Sequence, residues 1–200
     1  VELAGTLRSV VAARGWYVND AGEQKCRAIV RVHFYRGKPY VRVFYTWIMT
    51  EDSRDLRFSD IGLRIPMPVE SARFGTADGP VWRQPPAYLL QYDHNASLIA
   101  AGGEQADTDR VPGWFAAEGR EGHCFLACRD FWQYFPKELE ATPEGITFHT
   151  WPEHGIADPD REVTDANLQY LWFAHEGDVL DFQVPEDVYA HEGEHSEYQM

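Results

Sequence analysis

Cysteine is scarce, with only Cys26, Cys124 and Cys128 in 200 residues, and an odd count cannot close a disulfide framework within one chain. If residues 122–129 form a strand, Cys124 and Cys128 stand ~13 Å apart along one face, beyond the ~7 Å Cα limit for bridging. Buried free thiols are therefore expected. Long apolar runs are missing as well. No segment approaches the ~20 consecutive apolar residues of a membrane span, and none has the layout of a signal peptide, so no membrane partner is expected. No apolar stripe holds a helical spacing for three turns, and no Walker loop, nucleophile elbow or dinucleotide fingerprint occurs.

Positive charge is in short supply, 18 Lys and Arg against 32 Asp and Glu for a net charge of −14. From Glu162 to Met200 there are ten acidic residues and no basic ones, which places −10 of that charge in the last 39 residues. Such a segment repels a phosphate backbone, so nucleic acid is not the expected partner. Val1 to Thr50 reverses the balance with eight basic residues against three acidic ones, a composition suited to meeting a polyanion. The chain opens on Val1 rather than Met, which suggests a piece of a longer polypeptide with any targeting signal upstream.

What the chain has in quantity is apolar and aromatic residues, 44% and 14%, enough for a core that hides roughly 70% of the unfolded surface without staples. Their spacing is that of strands. Leu7–Val18 and Lys25–Tyr35 flank the turn sequence Asn19-Asp20-Ala21-Gly22, the signature of a hairpin. In the second strand Cys26, Ala28, Val30, Val32 and Phe34 share one face, expected to be core, and Arg27, Ile29, Arg31, His33 and Tyr35 share a wet one. Arg36-Gly37-Lys38-Pro39 turns the chain into Tyr40–Met49, completing a meander. Further expected strands are Leu56–Met67, Ala87–Tyr92, Ser97–Ala101, Trp114–Ala117, His123–Arg129, Leu139–Thr142, Ile146–Trp151 and Leu168–Ala174. Pro136-Lys137-Glu138-Leu139 is expected to form at most a short turn. The expected fold is all-β, an antiparallel β-sandwich of ten or eleven strands over residues 1–184 with little helix, followed by an acidic linker or the start of another domain at 185–200. Long irregular connections at 68–86 and 102–113 favour a sandwich over a barrel.

Chemistry-bearing residues concentrate in Arg129-Asp130-Phe131-Trp132-Gln133-Tyr134-Phe135-Pro136-Lys137-Glu138, Trp151-Pro152-Glu153-His154-Gly155 and Trp172-Phe173-Ala174-His175-Glu176-Gly177. Flat rings stack on the apolar faces of sugars, and neighbouring Arg, Lys, Gln and Glu supply orienting hydrogen bonds and charge. The same tryptophans equally suit a core between sheets. Histidine titrates near neutrality without any shift, which makes His154 and His175 candidate acid–base groups; His33 suits a plain surface position. Cys124-x₃-Cys128 with His149-x₄-His154 imitates a zinc pattern, but cysteines ~13 Å apart on a strand cannot converge on one ion. No metal or cofactor is expected, calcium as a bridge to an acidic substrate being left open. Asn95-Ala96-Ser97 is a glycosylation sequon, meaningful only in a secreted eukaryotic protein.

Four blocks occur in order: Arg36 to Thr46 (RGKPYVRVFYT), Asp60 to Pro66 (DIGLRIP), Arg129 to Glu140 (RDFWQYFPKELE) and Trp151 to Gly155 (WPEHG). Together they resemble the central β-sandwich of the exo-rhamnogalacturonan lyase and YetA-like family over most of residues 5 to 180. The resemblance implies a secreted or periplasmic carbohydrate-active module, a fragment whose flanking domains in the same polypeptide complete a cleft for an acidic polysaccharide or oligosaccharide. It implies β-elimination, in which the uronate carboxylate is neutralised, the C5 proton removed and the departing O4 protonated. Lys137, His154 and His175 are the expected catalytic groups, and Arg64, Arg129, Trp132, Gln133, Trp151 and Glu153 the expected substrate-binding ones. Two alternatives stand beside it: a noncatalytic carbohydrate-binding or interdomain scaffold sandwich, and a hydrolase using a carboxylate pair such as Glu138 and Glu153.

Overall fold

The computed structural model describes residues 1–48, 50, 60–93, 95–152 and 154. The chain's contacts separate it into two compact units, Val1–Arg57 and Phe58–Met200. The expected strand Leu168–Ala174 and the expected boundary at residue 184 lie outside the described residues. All described secondary structure is β, and the all-β expectation holds.

The first unit is one antiparallel sheet in the order β1 (Leu3–Ala4), β2 (Arg8–Val18), β3 (Gln24–Tyr35), β4 (Val41–Ile48). The Asn19 side chain shapes the β2–β3 turn by accepting hydrogen bonds from the backbone N–H of Ala21 and Glu23, the mimicry that makes Asn a turn residue. The expected division into a core face and a wet face is only half realised. Val32 pairs with Val11 and Val43, placing these side chains on one apolar face, yet Val11, Phe34 and Val43 all remain exposed. Across the other face Glu2 forms ion pairs with Arg14 and Arg31. The register slips at Trp16/Tyr17, opposite Cys26; Cys26 takes φ 54° there, is fully buried, and donates its N–H to Thr50 Oγ1.

Among the described residues the second unit has two sheets. The larger has the order β10 (Glu104–Thr108), β9 (Ala96–Ala101), β8 (Ala87–Asp93), β13 (Lys137–Thr142), β14 (Gly145–Trp151), β5 (Ile61–Pro66), and the smaller β12 (Gly122–Ala127), β11 (Trp114–Gly119), β6 (Ser71–Thr76), β7 (Gly79–Arg83). Between them sits the core: Leu89, Ile99, Leu139 and Ile146 from one side meet Phe74, Phe115 and Ala117 from the other, with Val111 and Phe131 added from connecting segments. The Phe74 and Phe115 rings stack at 5.4 Å.

Three expectations need correction. The stretch 68–86 is not an irregular connection but contains β6 and β7, and 102–113 contains β10. These short strands are joined by tight turns. Gly102 and Gly103 both take positive φ, 60° and 85°, as a two-residue hairpin requires, and Thr76 pairs with Gly79 across Ala77-Asp78. Nor is Pro136–Leu139 a turn, since Lys137 begins β13. Fourteen strands thus occur among the described residues, not ten or eleven.

Burial predicts the energetics. Phe115→Ala in the stacked pair is expected to cost about 3–5 kcal/mol of unfolding free energy, read by urea denaturation; a loss below ~1 kcal/mol would mean the inter-sheet core is not packed as described.

Candidate functional site

Along β13, Leu139 and Ala141 point into the sandwich core, so strand alternation sends Glu138 and Glu140 to the opposite face of the large sheet. Glu138 pairs with His149 of β14 on one side and Leu90 of β8 on the other, and Gly62 of β5 lies across from His149. A side chain at residue 62 would crowd this histidine, because a Cβ there would come within 3.3 Å of His149 Nδ1 and 3.0 Å of Thr147 Cγ2.

His149 Nδ1 donates to Asp60 Oδ1 at 2.6 Å and Nε2 donates to Glu140 Oε2 at 3.3 Å, with Glu138 Oε1 3.6 Å away. His154 Nδ1 donates to the same Glu138 Oε1 at 2.8 Å, and its ring lies flat on Tyr88 at 4.1 Å and 4°. Glu138 is completely buried, whereas 42% of the His154 side chain is exposed. The inner carboxylate therefore holds an outer imidazole. Arg64 shares this face through its pairing with Thr147 and adds positive charge near Glu140.

Burial works against a charged His149, but its hydrogen bonds to Asp60 and Glu140 and the attraction of Glu138 outweigh that and push its pKa up to about 10. The hydrogen bond to Glu138 raises His154 above the ordinary histidine value despite partial burial. Burial raises Glu138, while its bond from His149 lowers Glu140. The cluster is a buried ion network whose outermost member is a titratable, accessible imidazole.

The expected site residues separate in space. His154 and Arg64 belong to this face, and Trp151 ends β14 as a buried side chain. Lys137 lies on the other face of β13 from Glu138, beside Tyr134 at 6.0 Å and near Cys128. Burial lowers its pKa. Trp132 is half-buried beneath the Arg110 guanidinium at 4.3 Å, Gln133 is half-buried with an Oε1 that has no partner among the described residues, and exposed Arg129 pairs with Asp130. Glu153 and His175 lie outside the described residues. Sequence reasoning missed Asp60, Tyr88 and Glu140; the only signal was the alternation Glu138-Leu139-Glu140-Ala141, which marks both glutamates as sharing a face.

A second surface lies on the outer face of the small sheet. The register places Phe125, Ala116, Arg73 and Trp82 side by side across four strands. The Arg73 guanidinium sits 5.1 Å from the Trp82 ring and 5.9 Å from Trp114, and Trp114 stacks on Phe125 at 5.8 Å. Trp82 is 50% and Phe125 65% exposed. Gly75 makes room for the Trp114 ring, which a Cβ would strike. Comparison with known family models, curated proteins and solved structures finds no match to this chain.

The ion network has a defined pH signature. The folded pKa of His149, about 10, exceeds the unfolded value of about 6.5. Its stabilisation is therefore complete below about pH 6.5 and disappears as pH rises through 10. The raised His154 acts with the same sign; the lowered Glu140 instead contributes above its unfolded pKa and is lost in acid. Unfolding free energy should fall between pH 7 and 10, and His149→Gln should flatten that slope while costing about 3–5 kcal/mol at pH 7. An unchanged slope in the variant, measured by urea denaturation, would refute the network.

Proposed function

We propose that this chain is a carbohydrate-active module of a polysaccharide lyase that cleaves rhamnogalacturonan-type acidic polysaccharide by β-elimination, forming one wall of a cleft shared with other domains of its polypeptide. The observation that carries the proposal is His154, an accessible imidazole held by a buried carboxylate and stacked on a tyrosine. With Nδ1 committed to Glu138, Nε2 serves the substrate. As an imidazolium it donates a proton to the departing O4 while the C5–H electrons form the C4=C5 double bond. Tyr88, whose ring lies flat on His154, takes the C5 proton on its phenolate oxygen. Arg64 meets the uronate carboxylate and offsets the charge that develops beside C5. Lys137, across the sheet, has no part in these transfers.

His154→Ala and Tyr88→Phe should each lower turnover at least ~10²-fold. Ultraviolet absorbance of the unsaturated uronate product, followed for the full-length polypeptide on rhamnogalacturonan oligosaccharides, provides the measurement. Near-normal rates in both variants would remove the assignment.

A second reading, a noncatalytic carbohydrate-binding sandwich, is favoured by the platform of Phe125, Arg73, Trp82 and Trp114. It extends about 14 Å across four strands and offers flat rings with a cation between them, a surface suited to pyranose faces and uronate carboxylates. Trp82→Ala should weaken glycan binding about 3- to 10-fold in calorimetry. Binding that depends on Trp82 with no unsaturated product from the complete polypeptide would establish this reading instead.

A further inference from the structure

We infer that Glu138, Glu140 and His149 bind a divalent first-row transition-metal ion, of the Zn²⁺ or Mn²⁺ class. One donor atom from each of the three lies within 4.8 Å of the others, and His149 Nε2 is already 3.3 Å from Glu140 Oε2 and 3.6 Å from Glu138 Oε1. Ligands held at about 2.0–2.2 Å around one ion are separated by about 3.0–3.5 Å, so small side-chain adjustments bring all three donors to one ion.

Two further observations point to an ion rather than to a closed set of hydrogen bonds. Glu138 is fully buried, and its Oε2 has no hydrogen-bond partner among the described residues. A buried carboxylate oxygen without a donor is costly, and coordination to a cation is one of the few ways to satisfy it. His149 is moreover oriented from behind: Asp60 accepts from Nδ1 at 2.6 Å and turns Nε2 toward the two glutamates. A carboxylate that fixes the distal nitrogen of a ligating imidazole is the usual support of a metal-bound histidine.

The donor set selects the metal class. One imidazole nitrogen with two carboxylates suits Zn²⁺ or Mn²⁺, whereas Ca²⁺ takes oxygen ligands throughout. The ion takes the place of the proton on His149 Nε2, so binding releases a proton. It leaves coordination positions for water or a substrate oxygen next to His154 and Tyr88. In the lyase reading these positions receive the uronate carboxylate, but the metal site stands without that reading.

The test is calorimetric titration of chelator-treated protein with ZnCl₂ and MnCl₂, with CaCl₂ in parallel and Co²⁺ absorption as a spectroscopic check. Wild type should bind one equivalent that Glu140→Gln and His149→Gln both lose, and Asp60→Asn should weaken that equivalent about 10- to 100-fold. His123→Ala, on an exposed strand position, should retain it. Far-UV circular dichroism accompanies each variant; should His149→Gln not fold, the half-buried Glu140 and the supporting Asp60 decide the question. No uptake by wild type, or equal stoichiometry and affinity in wild type, Glu140→Gln and Asp60→Asn, would reduce the finding to an adventitious ion only and overturn the proposal. Because the readout is binding, loss of lyase activity alone does not bear on it.

Discussion

The burial of one carboxylate organises the second unit. Glu138 sits between Leu90 and His149 in the middle of a six-stranded sheet, where an uncompensated negative charge would cost several kcal/mol. The charge is met by His149 across the ladder and His154 just beyond β14. Strand order, register and the position of the chain after β14 are thereby linked, because a one-residue slip of β13 would put both glutamates into the apolar core and Leu139 outside it. The core and the ion network are the two faces of one alternating strand.

The two sheets of this unit carry different chemistry on their outer sides. Behind the large sheet Glu138 and His149 are drawn inward, while Asp60, Arg64 and His154 reach solvent. Behind the small sheet, the exposed rings of Trp82 and Phe125 lie to either side of a half-buried Arg73. The sheet of the first unit differs again: several of its apolar side chains are exposed, and Arg14 and Arg31 share the single carboxylate of Glu2.

Much of this fold is legible in the sequence. The hairpin at Asn19–Gly22, the meander into Val41–Ile48 and the strands at 87–92, 97–101 and 146–151 follow from alternation and turn residues. The hairpin of β6 and β7 is not evident in the same way, because Arg73 and Trp82 alternate with small or apolar residues on a face that itself carries rings, which blurs the period-two contrast. The site is legible only in pieces. His154 stands out as a histidine in an aromatic stretch, but its partner Glu138 looks like one acid in a charged run. Asp60 is 89 residues from His149, a pairing that only strand register creates. Grouping Lys137 with His154 as catalytic residues overlooks that Lys137 precedes a glutamate which itself faces His154, so the lysine must turn away.

Glu138 Oε1 faces two imidazoles at once, 2.8 Å from His154 and 3.6 Å from His149. The two rings therefore do not titrate as independent groups but through shared macroscopic steps. By reciprocity, whatever alters the charge at the interior ring alters the proton affinity of the exposed one by the same free energy, and the reverse. An exposed histidine so wired is a gauge of the charge on a largely buried one.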